Sequence, residues 1–236
     1  MARRSGARPR GNWRLRLAAM VLLAALVGVI ALWWHLRGWT PSRKDFPDQG
    51  AEVGTMEGEV DWKALKAVGA DFVYLDASAS AFARDPAFVK NLEDARAARL
   101  QVGAVHLYDP CQPADKQAAN FVTVIPRDAK MLPPAVDLDR LADDCPVPVS
   151  DAAVESELTT FLNQIERHAG KPALLLLSPA FEKRYHIAAV IDRNLWLEGS
   201  FLRPAYAGRP WVMWTASDRL RLPASERPLH WVVVRQ

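Results

Sequence analysis

The sequence predicts an α/β fold, a shortened TIM-like barrel preceded by one transmembrane helix. Three observations support this prediction. An apolar run of eighteen uncharged residues, 17–34, lies close to the N-terminus. Beyond it, short apolar runs alternate with amphipathic segments, as expected for strands joined by crossover helices. After the fifth candidate strand the connections are too short for full helices, so five βα units precede three more closely linked strands.

Charge is distributed unevenly along the chain. The 30 Lys and Arg and 27 Asp and Glu give a formal net charge of +3, but seven Arg and no acid lie in residues 1–37. The remaining residues carry 23 bases against 27 acids, a net charge of −4. This acidic remainder argues against a nucleic-acid partner. A hydrophobic content of 50% excludes a disordered chain.

Residues 17–36 are predicted to be a membrane anchor. Six Arg precede the apolar run and one follows it, so the positive-inside rule makes residues 1–16 a basic cytoplasmic tail. A cleaved signal peptide has the same order of regions, but two Trp and a His at 33–35 stand where small cleavage-site residues are needed. The prediction is a single-pass protein of the inner (cytoplasmic) membrane, with its domain in the periplasm or outside.

The anchor is followed by a linker and one domain. Residues 37–48 are polar and contain two Pro, which is typical of a linker, and residues 49–236 suit a single barrel domain. The candidate strands are residues 50–53, 72–76, 102–107, 135–139, 173–178, 195–199, 211–215 and 231–234. The candidate helices are residues 62–68, 86–99, 115–124 and 151–169.

The two cysteines, Cys111 and Cys145, lie in Pro-containing loops of the exported region. One disulfide between them is expected in an oxidising compartment, and two unpaired loop thiols are the alternative. No Cys or His spacing suggests a zinc site, and no cofactor is predicted.

Two carboxylates at alternate positions end the fourth candidate strand, Leu-Pro-Pro-Ala-Val-Asp-Leu-Asp at 132–139. Side chains at i and i+2 share a face of a strand, so Asp137 and Asp139 are expected to point together toward the barrel axis. Their repulsion is expected to raise at least one pKa. A proton donor beside a carboxylate is the usual equipment for glycosidic bond cleavage, although metal sites, turns and solvated strand ends also produce such a pair.

Seven short motifs resemble, in order and spacing, those of glycoside hydrolase family 25. They are Gln-Gly-Ala-Glu-Val at 49–53, Gly-Glu-Val-Asp-Trp at 58–62, Phe-Val-Tyr-Leu at 72–75, Asp-Pro-Ala-Phe at 85–88, Val-Gly-Ala-Val-His at 102–106, Gln-Ala-Ala-Asn-Phe at 117–121 and residues 132–139. The resemblance covers about residues 46–214. It implies a (β/α)5β3 barrel of the N,O-diacetylmuramidase type of lysozyme, which cuts peptidoglycan glycan strands between N-acetylmuramic acid and N-acetylglucosamine.

The resemblance also implies site residues, with departures from the family. Where the family has Asp-x-Glu, with Glu as the general acid, this chain has Asp137 and Asp139. The family's first-strand Asp is matched by Glu52, for which an ordinary exposed Glu is the alternative. Each change moves a carboxyl by about 1.5 Å, enough to lower a rate by ~10²-fold when proton transfer needs alignment.

Other departures lie in three further motifs. Asp-Ala-Ser-Ala-Ser at 76–80 replaces Lys-Ala-Thr-Glu-Gly, only Trp214 remains of Trp-Gln-Tyr, and residues 229–234 lack the acid of Val-Asp-Leu-Asn. These losses point toward weakened catalysis. Trp214 is expected to stack on a sugar face. Tyr74 and His106 are the other candidate substrate contacts, with a core Tyr and a hydrogen-bonded barrel His as the alternatives.

Two functions follow from these residues. The first is an anchored muramidase in which Asp139 protonates the glycosidic oxygen while Asp137 steadies the N-acetyl group that attacks the anomeric carbon. Glu52 would position substrate or water. The second is a catalytically impaired pseudoenzyme that binds peptidoglycan or a cell-wall partner without cutting it.

Overall fold

The structure, a computed structural model, describes residues 13–236, so most of the predicted basic tail lies outside the described residues. The chain divides into two compact units, one reaching to Trp39 and the other spanning Thr40–Gln236.

The first unit contains helix α1, Trp13–Arg37. Its segment Leu15–Arg37 is long and apolar enough to cross a membrane, and none of the side chains in its most apolar stretch is buried. These 23 residues extend about 34 Å, more than the ~30 Å of a hydrocarbon core. Length and composition alone support the span, and a signal sequence meets the same criteria.

The second unit is built around an eight-stranded barrel. The strands are β1 (Gln49–Val53), β2 (Phe72–Ala79), β3 (Ala83–Arg84), β4 (Gln101–Leu107), β5 (Ala135–Leu138), β6 (Leu174–Leu177), β7 (Asn194–Glu198), β8 (Met213–Leu220) and β9 (Leu229–Val234). All but β3 form the barrel, in the order β1-β9-β8-β7-β6-β5-β4-β2, closed by the pairing of β1 with β2. Strand β9 runs antiparallel to both neighbours, and the other barrel pairs are parallel. The eight predicted strands are thus the eight barrel strands, and the α/β barrel is confirmed.

Six helices connect the strands. They are α2 (Trp62–Ala67), α3 (Phe88–Ala97), α4 (Ala114–Val124), α5 (Asp151–Ala169), α6 (Pro179–Tyr185) and α7 (Ile187–Val190). Helix α5 begins behind Ser150, whose side chain accepts the backbone N–H of Ala153, and ends at Gly170 in a left-handed conformation.

After the fifth barrel strand the sequence predicts connections too short for full helices, and the structure has two short helices there, α6 and α7, between β6 and β7. Ser178 caps α6 by accepting the Phe181 N–H, and Pro179 occupies the first helical position. His186, with φ of 52°, ends α6. Helices this short carry too few turns for hydrophobic periodicity to reveal them.

Inward-facing side chains of alternate positions fill the barrel. They are Phe72, Tyr74, Val105, Ala135, Leu174, Leu176, Trp196, Met213 and Val232. Because side chains alternate between the two faces of a strand, the next inward position toward the carboxyl end of each parallel strand lies one layer above this core. Polar residues occupy that layer on several strands, which places a candidate site at this mouth of the barrel.

Candidate active site

Five carboxyl groups and one imidazole collect at the mouth, where the parallel strands end and β9 begins. Each comes from an inward position at or just beyond the apolar core. They are Glu52 on β1, Asp76 on β2, Asp137 and Asp139 on and after β5, Glu198 on β7 and His230 on β9. The mouth therefore joins residues that are up to 178 positions apart in the chain.

Glu52 and His230 form an ion pair across neighbouring strands. Their Cα atoms are register partners in the β1–β9 pairing, and His230 Nδ1 lies 3.3 Å from Glu52 Oε2. The hydrogen bond to Glu52 raises the pKa of His230 to about 9, although burial acts in the opposite direction. The Glu52 side chain is only 11% exposed, so it is not the ordinary surface Glu of the alternative interpretation.

Asp137 is a desolvated carboxyl of the mouth that faces four other acids. Its Oδ1 atom is buried and has no hydrogen-bond partner among residues 13–236. Burial, followed by the charges of Glu52, Glu198, Asp139 and Asp76, raises its pKa well above the ordinary range. The predicted rise in a pKa is therefore present at Asp137, but its main cause is burial. Among the neighbouring charges, that of Glu52 raises the pKa of Asp137 the most, more than that of Asp139.

Asp139 follows β5 directly and is exposed at the rim. The next residue, Arg140, forms a 2.8 Å salt bridge with Asp109, which is 5% exposed and lies beyond the end of β4. Asp109 Oδ1 also accepts the backbone N–H of Cys111, and Cys111 is joined to Cys145 by a disulfide. These contacts tie the segment that carries Asp139 to the neighbouring loop.

Sequence reasoning missed Asp76 as a site residue. Burial and the charges of Glu52, Glu57 and Asp85 raise the pKa of Asp76 to about 8. Its carboxyl packs against Gly54, where a Cβ atom would lie 2.2 Å from Asp76 Oδ2, so a larger residue at position 54 would displace this carboxyl.

Glu198 and His230 were missed as well. Burial and the charges of Asp139 and Glu52 raise the pKa of Glu198 to about 7. A signal was available, because Glu198 stands two residues beyond buried Trp196 and His230 two residues before buried Val232. Strand alternation puts both on the barrel interior.

Two of the three predicted substrate contacts lie on the outer face of the barrel, which corrects their assignment. His106 is fully buried between the rings of Phe121 and Phe161, and burial lowers its pKa to about 4. Trp214 is 2% exposed and packs on Phe46 and Trp211. Their neighbours in sequence face inward, so alternation directs both side chains away from the mouth.

Tyr74 does face inward, but it lies in the core layer below the mouth. It is 1% exposed, packs against the ring of Trp196, and its hydroxyl donates a hydrogen bond to the Pro133 carbonyl over 3.1 Å. Burial raises the pKa of Tyr74. Its role is therefore packing.

Among residues 13–236, no three His, Cys, Asp or Glu side chains are grouped so as to hold a metal ion.

The mouth predicts that the folded chain is more stable in mild acid than in mild base. The pKa is raised from 3.8 to about 8 for Asp76, from 4.5 to about 7 for Glu198 and from 6.5 to about 9 for His230. A group with a raised folded-state pKa contributes stability that is present below its unfolded pKa and lost as the pH rises through the folded one. Stability should therefore fall as the pH rises from about 4 to about 9, with a contribution from each of the three groups.

Thermal melts of the full chain in detergent should give a higher Tm at pH 5 than at pH 8. Asp76→Asn should flatten this difference, because the amide has no proton to lose. Asp192→Asn, at an exposed position away from the mouth, is the matched control. A Tm at pH 8 equal to or above that at pH 5 would contradict the description of the mouth.

The fold and the mouth define an α/β-barrel protein with a carboxylate-lined opening, and comparison with known proteins identifies its family. The family model for glycosyl hydrolases family 25 matches residues 52–224. This chain belongs to that family, and the resemblance drawn from its motifs is confirmed.

Three similar proteins illustrate the match. An uncharacterized protein, YegX, of Escherichia coli K12 is 21% identical over 211 residues, covering 83% of this chain and 75% of that protein. A family 25 glycosyl hydrolase from Bacillus anthracis has a TM-score of 0.74 at 22% identity, covering 85% of this chain and 93% of that one. A bacterial lysozyme from Streptomyces coelicolor has a TM-score of 0.71 at 18% identity, over 80% and 92% of the two chains. At these identities the structural matches establish the fold.

Proposed function

We propose that the barrel domain is a lysozyme-type glycosidase that cleaves the bond between N-acetylmuramic acid and N-acetylglucosamine in peptidoglycan. Family membership supports this function, because the similar solved structures include a bacterial lysozyme and a family 25 glycosyl hydrolase. The observation that carries the proposal is the mouth itself, where Asp137 and Glu198, whose pKa values are raised by burial and neighbouring charges, stand beside the Glu52–His230 ion pair. Glycosidic cleavage needs both a proton donor and a stabilising anion within one cleft.

The proposed reaction uses the substrate's own N-acetyl group. Its carbonyl oxygen bonds to the anomeric carbon as the bond from that carbon to the leaving oxygen breaks, and a carboxyl at the rim protonates the leaving oxygen. Asp137, with one buried and unpartnered oxygen, is placed by this proposal against the N-acetyl group. Water then opens the cyclic intermediate and returns a proton to the rim carboxylate. Glu52, held by His230, positions substrate or water.

The departures from the family pattern favour a rearranged site over an empty one. Glu52 and Asp139 alter the position of two carboxyls, but Asp76 and Glu198 add two more at the same mouth. His230 provides a cation beside the strand-one acid. A chain that had kept only a binding groove would have no need to desolvate three carboxyl groups against one another, since each raised pKa lowers its stability.

We also propose that α1 is an uncleaved anchor, with residues 1–16 in the cytoplasm, 37–48 as the linker and 49–236 in the periplasm or outside. The Arg bias around the apolar run supports this orientation, and the Cys111–Cys145 disulfide suits an oxidising compartment. The test is the mass of the mature protein from membranes. A product shortened by roughly 35 residues would contradict the anchor.

Solubilisation of purified peptidoglycan tests the activity. The full chain in detergent is expected to release soluble fragments and new reducing ends from insoluble sacculi over time. Co-sedimentation with sacculi without any new reducing ends would contradict cleavage and would leave the binding-only pseudoenzyme as the function.

Phe82 is expected to contact the glycan in place of the buried Trp214. It lies in the loop between β2 and β3, on the mouth side of the barrel, and is 75% exposed. A sugar face stacked on an aromatic ring is worth about 1 kcal/mol, roughly fivefold in an equilibrium constant. Phe82→Ala should therefore raise KM about fivefold and leave kcat nearly unchanged. Val89→Ala, an exposed apolar position on α3, is the control, and equal KM values for the two variants would exclude Phe82 as a contact.

A further inference from the structure

The strand register puts Glu198 level with Asp139 across the mouth. Leu138 pairs with Leu177, and Leu177 pairs with Leu197. The following residue of each strand therefore lies in one layer, with Asp139 and Glu198 on alternate strands. Two strand spacings separate their backbones, about 10 Å, and inward side chains of alternate strands share a barrel layer.

Only a small side chain lies between these two residues in the layer. The residue between them in the layer is Ser178, and its small side chain is engaged in accepting the N–H of Phe181 at the start of α6. Asp139 and Glu198 therefore face each other across Ser178, and the charge of Asp139 is the largest electrostatic influence on Glu198.

The backbone of Glu198 is held firmly while its carboxyl is left free. Its N–H donates to the Tyr206 hydroxyl over 2.9 Å, and that hydroxyl donates to the Leu177 carbonyl. Glu198 is the last residue of β7 and pairs with Thr215 on β8. Its carboxyl accepts no hydrogen bond from the described part of the chain, residues 13–236, whereas Glu52 is engaged by His230.

Reach also distinguishes Glu198 from the other acids of the mouth. Asp76 packs against Gly54 on the β1–β2 side, and the free oxygen of Asp137 is buried. Asp139 at the rim is shorter than a Glu by one C–C bond, about 1.5 Å, and that length matters for proton transfer. Glu198 supplies the longer side chain from the opposite wall of the same layer.

We propose that Glu198 is the proton donor to the leaving oxygen, with Asp139 facing it from the opposite wall of the same layer. This inference rests on the proposed glycosidase function and assigns its acid. In the first half of the reaction the Glu198 O–H bond breaks as its proton passes to the glycosidic oxygen, whose bond to the anomeric carbon breaks. In the second half the Glu198 carboxylate takes a proton from the water that attacks that carbon.

Charged groups on several strands set the ionisation of Glu198. Burial and the charge of Asp139 after β5 favour its protonated form, and so do Glu52 on β1 and Asp218 on β8. His230 on β9 acts in the opposite direction. Asp137 also faces it from β5, and the Tyr206 hydroxyl lies at its backbone.

The test compares Glu198→Gln with Asp139→Asn in the full chain, using kcat/KM against pH on peptidoglycan. Glu198→Gln should lower kcat/KM by roughly 10²–10⁴-fold and remove the basic limb of the profile. On an aryl glycoside, whose leaving group needs no proton, the same variant should lose much less. Asp139→Asn should keep a basic limb and shift it to lower pH, because the charge that favours protonated Glu198 is gone.

The controls separate failure of this inference from failure of the function. Glu155→Gln, an exposed position on α5, should behave as the wild type, and melting curves should show that Glu198→Gln is folded. The inference is wrong if the wild type is active and Glu198→Gln keeps both its activity and the basic limb of its pH profile. In that case Asp139→Asn should be inactive on peptidoglycan but active on the aryl glycoside, which would make Asp139 the acid. If the wild type releases no new ends, the proposed function itself fails.

Discussion

Replacing Asp137 by Asn is expected to abolish glycan cleavage, with kcat/KM falling by roughly 10³-fold or more. Asp137 has a buried oxygen without a partner among residues 13–236 and a pKa raised well above the ordinary range by burial and four neighbouring acids. The amide keeps the shape but cannot exchange a proton or carry charge when the substrate's N-acetyl group reacts. Initial rates of reducing-end release from peptidoglycan measure the effect.

The same substitution should leave the fold intact, which separates catalysis from stability. Because the folded chain disfavours the ionised form of Asp137, a neutral amide should give an equal or higher Tm at pH 8. Asp192→Asn is the control for removal of an acid far from the mouth. An Asp137→Asn protein that is folded and within tenfold of wild-type activity would exclude Asp137 from the reaction.

Of the variants proposed, the one that lacks the disulfide should lose the most stability. The bond between Cys111 and Cys145 closes a loop with a sequence separation of 34, for which loop-closure entropy corresponds to about 4 kcal/mol. The double variant Cys111→Ser, Cys145→Ser should therefore lower the free energy of unfolding in urea by about this amount. Activity should fall too, because the disulfide helps the Arg140–Asp109 salt bridge hold the segment that follows Asp139.

Reduction of the wild type provides the matched comparison. With reductant present, the wild type should unfold at the same urea midpoint as the double variant, and reductant should have no effect on the variant itself. A loss below about 1 kcal/mol in both experiments would mean that the loops are held by their polar contacts alone.

The eight barrel strands were predictable because each is a short apolar run between polar segments, and their order along the chain matches the sheet. Helix α5 was predictable to the residue, since it combines an apolar face with a Ser N-cap and a Gly after its last turn. Helices α6 and α7 were not, because seven and four residues carry too little periodicity.

The sequence predicted three residues of the site, Asp137 and Asp139 from a local pattern and Glu52 from a family motif, but not how they are arranged. Asp137 and Asp139 form a local pattern, but the pairing of Glu52 with His230 joins the first and last barrel strands and follows from barrel closure. Absence of an acid in residues 229–234 pointed to a lost site residue. The structure brings a His to the carboxylate of Glu52 instead.

The errors over Trp214 and His106 have a common physical origin. Motif matching located both near strand ends without establishing which face of the strand each occupies. Buried neighbours within the same strand would have decided this, since Val105 and Met213 belong to the barrel core and therefore direct the adjacent residues outward. Applied to β2 and β7, the same alternation identifies Asp76 and Glu198 as inward-facing acids.

The chemical identity of the new chain end tests the central claim most directly. The full chain in detergent would be incubated with purified peptidoglycan, and the products reduced with borodeuteride and analysed by mass spectrometry. A glycosidase of the proposed type should leave deuterium on the reduced N-acetylmuramic acid, in amounts that vanish for Asp137→Asn. Label on N-acetylglucosamine, 1,6-anhydro ends that cannot be reduced, or no new ends at all would contradict the proposed function.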